Sequence, residues 1–169
     1  MRLQVSAADR TVARWIYATL VMLLFPVLLS AQTTFTVTVN NKTSAHPYYR
    51  QGYAAGFIIS GVQGRELTLT RGVTYTFRMV SVSSTHPFYI STDPDGAGAG
   101  EFLDGVTGSR AFNNSTLTFT PGESAPALLY YQCYNSEHTK MGWKINIVDG
   151  VSAVRAGEGV VSSGGPSLR

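Results

Sequence analysis

From Thr33 onward, polar and apolar residues alternate in short runs. "TFTVTVN" (34–40) alternates strictly, which puts Phe35, Val37 and Val39 on one face of an extended segment. "RELTLT" (65–70), "TYTFRMV" (74–80), "PFYIS" (87–91), "TLTFT" (116–120), "ALLYYQ" (127–132) and "KINIV" (144–148) follow, each rich in β-branched or aromatic residues. "GFIIS" (56–60) is a weaker eighth run. Gly, Pro, Asn and Asp clusters separate them, and no window after residue 32 carries an apolar period of about 3.6 residues. Seven to eight strands in one compact stretch predict an all-β sandwich or barrel.

Three segments depart from this rhythm. "STDPDGAGAGEFLDGVTGSRAFNNS" (91–115) is a long Gly- and Asp-rich excursion, expected as a loop over one end of the β-domain. Residues 150–169 lose the alternation and gain Gly and Ser, which predicts a flexible tail. The N-terminus opens with Arg2, Arg10 and Arg14, turns apolar from Trp15 to Leu29, and closes on "LSAQ". That order predicts a signal peptide over 1–31 and a secreted or periplasmic product. The apolar run is shorter than the ~20 residues needed to span a bilayer, so a membrane tether follows only if the segment stays uncut. The folded unit is then 33–149.

Removing the leader changes the charge. The full chain is +3. Without Arg2, Arg10, Arg14 and Asp9, ten basic and nine acidic residues remain, a net of +1. No basic patch survives to argue for nucleic acid. A single cysteine, Cys133, excludes an intramolecular disulfide, and a lone thiol outside the cytoplasm must be buried, paired with another chain, or bound to metal.

Cys133 is followed by His138 and Met141 on the stretch between the last two predicted strands. Thiolate, imidazole and thioether form a soft-to-borderline set that suits copper better than calcium or magnesium. Zinc would want four good donors, usually several cysteines or histidines, and this chain has one cysteine and three histidines. A trigonal His₂Cys site with a weak axial Met lacks one imidazole here, and His86, at the start of the "PFYIS" strand, is placed to supply it.

His86 followed by Cys133-x4-His138-x2-Met141, with "LYYQC" entering the loop and "MGWKINIV" leaving it, resembles the cupredoxins, the small blue-copper proteins. The resemblance covers nearly all of 33–149 and is closest to exported bacterial domains with an "HPFYI" segment and a "YYxC…H…MG" loop. It implies a Greek-key β-sandwich with one type 1 copper per chain, held by His86, Cys133 and His138 in the plane and Met141 axially. It also implies single-electron transfer between redox protein partners, with no small-molecule substrate and no catalysis. The chain departs from the family pattern in two ways: four residues separate Cys133 from His138, and Pro87 stands where many cupredoxins carry an Asn that ties the two ligand segments together. The same ligands would serve a copper-buffering or copper-delivery protein, and a metal-free structural or adhesion module is the third reading.

His46, in "SAHPYY", echoes "STHPFY" around His86; it reads as a turn histidine, a neighbour of the site, or a substitute ligand. Asp93, Asp95, Glu101 and Asp104 miss the usual calcium-loop spacing and read as a solvated loop.

Overall fold

The computed structural model describes residues 33–150; the leader and tail expected from sequence lie outside them. Ten strands form, all but two at runs that the sequence marks: β1 Thr34–Asn41, β2 Ala55–Ile59, β3 Val62–Gln63, β4 Leu67–Thr70, β5 Tyr75–Met79, β6 Phe88–Ser91, β7 Val106–Thr107, β8 Thr116–Phe119, β9 Leu128–Cys133 and β10 Trp143–Val148. The two unanticipated strands, β3 and β7, have two residues each, too few for alternation to register.

One sheet runs β3-β2-β1-β5-β8-β7 and the other β4-β10-β9-β6. Both are mixed: β1 pairs parallel with β5 and β10 parallel with β4, while the other pairings are antiparallel. Successive strands pass from one sheet to the other after β3, β4, β5, β6 and β8. Consecutive strands pair antiparallel at β1/β2, β2/β3, β7/β8 and β9/β10, and the parallel pairs are joined by long connections.

The alternation seen in sequence becomes the core. Phe35 and Val37 of β1, Tyr75, Phe77 and Met79 of β5, and Leu129, Tyr131 and Cys133 of β9 are all buried. Aromatic rings join the sheets: Phe88 of β6 meets Phe57 of β2 edge-on at 5.1 Å and Phe77 of β5 at 5.4 Å, and stacks on Tyr131 at 5.7 Å. Burial of each such ring contributes about 2–3 kcal/mol, so this layer carries much of the stability that a disulfide-free chain needs.

β6 is buried on both faces. Its inward residues, Phe88 and Ile90, enter the core, and its outer face is covered by the excursion over 92–101. Tyr89 and Ser91 both donate their hydroxyls to the carbonyl of Ala99, at 2.7 and 2.8 Å. Bridges Ser91↔Glu101 and Phe88↔Ala111 close the free edge of the strand. The excursion is thus a strap along an edge strand, which protects backbone groups that would otherwise be open to pairing.

Candidate metal centre

Register places the first two donors. Phe88 opens β6 directly opposite Cys133, the last residue of β9. His86, two residues before Phe88, therefore lies just past the strand end, at the pole where the Cys133 side chain emerges. Beyond Cys133 the chain turns and returns as β10, with Trp143 opposite Tyr131. Inside that turn Asn135 accepts from the Glu137 amide through Oδ1 at 3.1 Å and from the His138 amide through its carbonyl at 3.0 Å. This Asx-type turn swings His138 back toward the strand end.

Three side chains converge as a result. Nδ1 of His86 lies 3.0 Å from Nδ1 of His138, and Sγ of Cys133 lies 3.7 Å from that same Nδ1. One ligand atom from each residue lies within 4.8 Å of the others, and among the described residues this is the only group of three His, Cys, Asp or Glu side chains so arranged. His138 and Cys133 are buried and His86 is half-buried.

The donor chemistry fits a soft or borderline cation. Burial pushes the Cys133 thiol up to about 11, against a smaller opposing effect from the Asn135 backbone amide. Burial, then the neighbouring His138, lowers the His86 imidazole. A neutral thiol and, at His86, an imidazole that resists protonation converge here with His138, and a cation between them would stabilise the thiolate that burial disfavours. Glu137 is exposed and stands outside the group.

Met141 is fully buried. Its carbonyl accepts from the Phe57 amide at 2.7 Å and from Nε2 of His46 at 3.3 Å. His46 is itself 2% exposed, and its Nδ1 accepts from the Tyr48 amide at 3.0 Å. That bond puts the ring proton on Nε2, which fixes His46 as a neutral donor to the ligand loop. Its place is in a turn that supports Met141, outside the converging trio.

The structure also answers the question raised by Pro87. A proline cannot donate an amide bond, but its carbonyl accepts from the Tyr134 amide at 2.8 Å. Asn135 Nδ2 donates to the carbonyl of Thr85 at 3.3 Å. The two ligand segments are tied from the loop side, with donors contributed by the residues that follow Cys133.

Sequence reasoning did not single out Tyr53 from the other aromatics of core and rim. Its ring lies on His138, with centroids 3.8 Å apart and planes 33° from parallel, and sits 5.6 Å from His86. Its amide donates to the carbonyl of Thr139 at 2.9 Å. Gly52 makes that approach possible: it has φ +62, and a Cβ there would stand 2.4 Å from the Thr139 oxygen. Tyr53 belongs to an irregular Gly-flanked segment with no periodicity; that glycine pair was the only signal available.

The acidic excursion is not a cation site. Asp95 pairs with Lys140, Glu101 with Arg110 at 2.7 Å and with Ser109, and Asp104 with the Ser124 hydroxyl. Asp93 accepts from the Asp95 amide through Oδ1, so the four acids have separate partners, in agreement with the solvated-loop expectation.

The expected all-β sandwich with a His-Cys-His group at one pole is what the structure displays. Comparison with curated proteins found no match. Among solved structures the chain is similar to rusticyanin from Thiobacillus ferrooxidans, at 20% identity over 70% of this chain and 79% of that one, with a TM-score of 0.41. It is also similar to reduced rusticyanin, at 20% identity over 70% and 81%, with a TM-score of 0.39. Residues 27–149 match the model of the At5g54830-like domain, and the chain belongs to that family.

Proposed function

We propose that this domain holds one copper ion through His86, Cys133 and His138, with Met141 as a fourth and weaker donor. It would carry single electrons between redox protein partners outside the cytoplasm. The convergence of two imidazole Nδ1 atoms and one thiol within 4.8 Å carries this reading. When bound, copper supplies a one-electron couple between Cu(I) and Cu(II), to which this donor set is suited.

The remaining work belongs to the protein. The β6/β9 register and the ties from Tyr134 and Asn135 hold His86 and Cys133 at a fixed separation. Positions held this firmly change little between charge states, which favours rapid exchange. Loading releases the Sγ proton of Cys133 and frees both Nδ1 atoms of any proton they share. Tyr53 keeps water from the face of His138, so His86 is the ligand ring nearest solvent and the natural approach for a partner. The basic, apolar, small-residue order of residues 1–31 supports export.

Visible absorption and EPR spectra of the full chain with one equivalent of Cu(II) test the proposal. An intense thiolate charge-transfer band is expected, bleached by ascorbate and absent in Cys133→Ser. A colourless product with a freely titrating thiol refutes it.

A further inference from the structure

A cavity of about 200 Å³ opens beside the metal centre, lined by Lys42 and by residues 49–54. It shares Tyr53 with the centre: that residue lines the cavity and its ring also stacks on His138. We propose that this cavity is a binding site for a small organic anion with a flat apolar body, an aromatic carboxylate being the class that fits.

Charge is the first argument. Two cationic residues line the cavity and no acidic one does. Among the described residues, neither Lys42 nor Arg50 has a carboxylate within ion-pair reach. Lys42 is 8% exposed, and its ammonium meets only carbonyl oxygens, those of Gln51 at 2.7 Å and Tyr48 at 3.4 Å. An ammonium on a largely buried side chain, meeting neutral acceptors alone, is under-compensated, and a carboxylate beside it would relieve that. Burial, then the nearby Lys140, lowers Lys42 to about 8, so it is still charged at neutral pH. Arg50 lies over the ring of Tyr49, 5.2 Å from its centroid, with its planar donors open to a bidentate oxyanion.

Shape is the second. Tyr49 and Tyr53 add aromatic residues to the lining, which suits a flat guest, and the volume exceeds the roughly 150 Å³ known to accept benzene. Order is the third. The turn that forms the cavity is braced before any ligand arrives, by Tyr49 N to His46 O, Gln51 N to Tyr48 O and Tyr53 N to Thr139 O, at 2.9, 3.0 and 2.9 Å. Binding therefore costs little ordering. A guest here contacts Tyr53, whose ring packs on His138, so its arrival is felt at the metal centre.

The test uses the metal-free full chain, so it stands apart from the copper reading. Amide and imidazole NMR shifts are followed while benzoate, benzamide and acetate are added in turn at constant ionic strength. Benzoate should saturate, shifting residues 49–54 and His138. Benzamide, which lacks the charge, and acetate, which lacks the ring, should each bind at least about fivefold more weakly. Arg50→Gln, at an exposed position, should weaken benzoate by a similar factor with the fold intact. Benzoate shifts that do not saturate, that map elsewhere, or that Arg50→Gln leaves unchanged overturn the site. Equal binding of benzamide or acetate overturns the ligand class.

Discussion

Nε2 of His46 donates to the carbonyl of Met141 across 3.3 Å, joining a turn near the start of the domain to a loop 95 residues later. The bond is buried and has no alternative partner on the His46 side. Replacing His46 with Phe leaves the Met141 carbonyl with only the Phe57 amide and strands the Tyr48 amide. Such a loss costs about 1–3 kcal/mol, and denaturant titration of the metal-free protein should find it.

The same histidine sets a pH dependence. Burial, then the charge of Lys42, lowers its folded-state value to about 4 from 6.5, against a smaller effect of the Met141 carbonyl. Unfolded chain takes up a proton near 6.5 and folded chain does not, so the contribution is complete above that pH. It is lost as pH falls toward 4, amounting to about 3 kcal/mol in all. Melting temperature measured from pH 7 to 4 should fall for the parent protein and fall less steeply for His46→Gln.

Asn135 ties the ligand loop to the segment before His86. Removing its side chain in Asn135→Ala takes away the bond from Nδ2 to Thr85 and the Oδ1 acceptor for the Glu137 amide. His86 and His138 both lose a constraint while all donors remain. The expected result is a small stability loss, about 1 kcal/mol, with copper affinity reduced about tenfold or more in competition with a chelator. An affinity equal to that of the parent would show that the tie does not position the donors.

Much of this could be read from the chain, and the exceptions share a cause. Strands of four or more residues announce themselves by alternation, and three donors of the site sit within nine residues of one another between two such strands. Joining His86 to them required only that the "PFYIS" strand neighbour "ALLYYQ", a short inference within a sandwich. β3 and β7 carry no pattern because two residues have no period. His46 acts through a distant backbone carbonyl, and no residue type at position 141 would have signalled it. Pro87 was a legible departure whose consequence was not, because the compensating donors come from Tyr134 and Asn135 across the fold.

Gly142 opens the return strand where no other residue fits. A Cβ there would stand 1.6 Å from the carbonyl oxygen of Tyr131, a backbone atom of the paired strand. Gly142 also donates its amide to Oε1 of Gln132 at 2.9 Å. Gly142→Ala must push β9 and β10 apart at the point where both meet the ligand loop. A loss of about 3 kcal/mol or more is expected, measured as a lowered denaturant midpoint or a failure to accumulate folded protein.

Tyr53 offers a cleaner separation of packing from chemistry. Tyr53→Phe retains the ring over His138, so it should match the parent in stability within about 1 kcal/mol. Tyr53→Ala removes the stack and uncovers an imidazole that is 7% exposed in the parent. About 1–3 kcal/mol is then lost with the half-buried ring, and His138 should react faster with an imidazole-modifying reagent in metal-free protein. Unchanged reactivity would mean that His138 is shielded by something other than this ring.

Met141 decides whether the thioether matters beyond its volume. The side chain is fully buried among core residues, and leucine fills nearly the same space without sulfur. In metal-free protein Met141→Leu should cost less than about 1.5 kcal/mol, since the backbone carbonyl that His46 and Phe57 hold is untouched. If the sulfur is a weak fourth donor, the copper-loaded variant keeps its thiolate band but shifts in wavelength and rises in reduction potential, because losing a weak axial ligand disfavours the oxidised ion. A variant with the parent's spectrum and potential would assign Met141 to the core alone and leave the site with His86, Cys133 and His138.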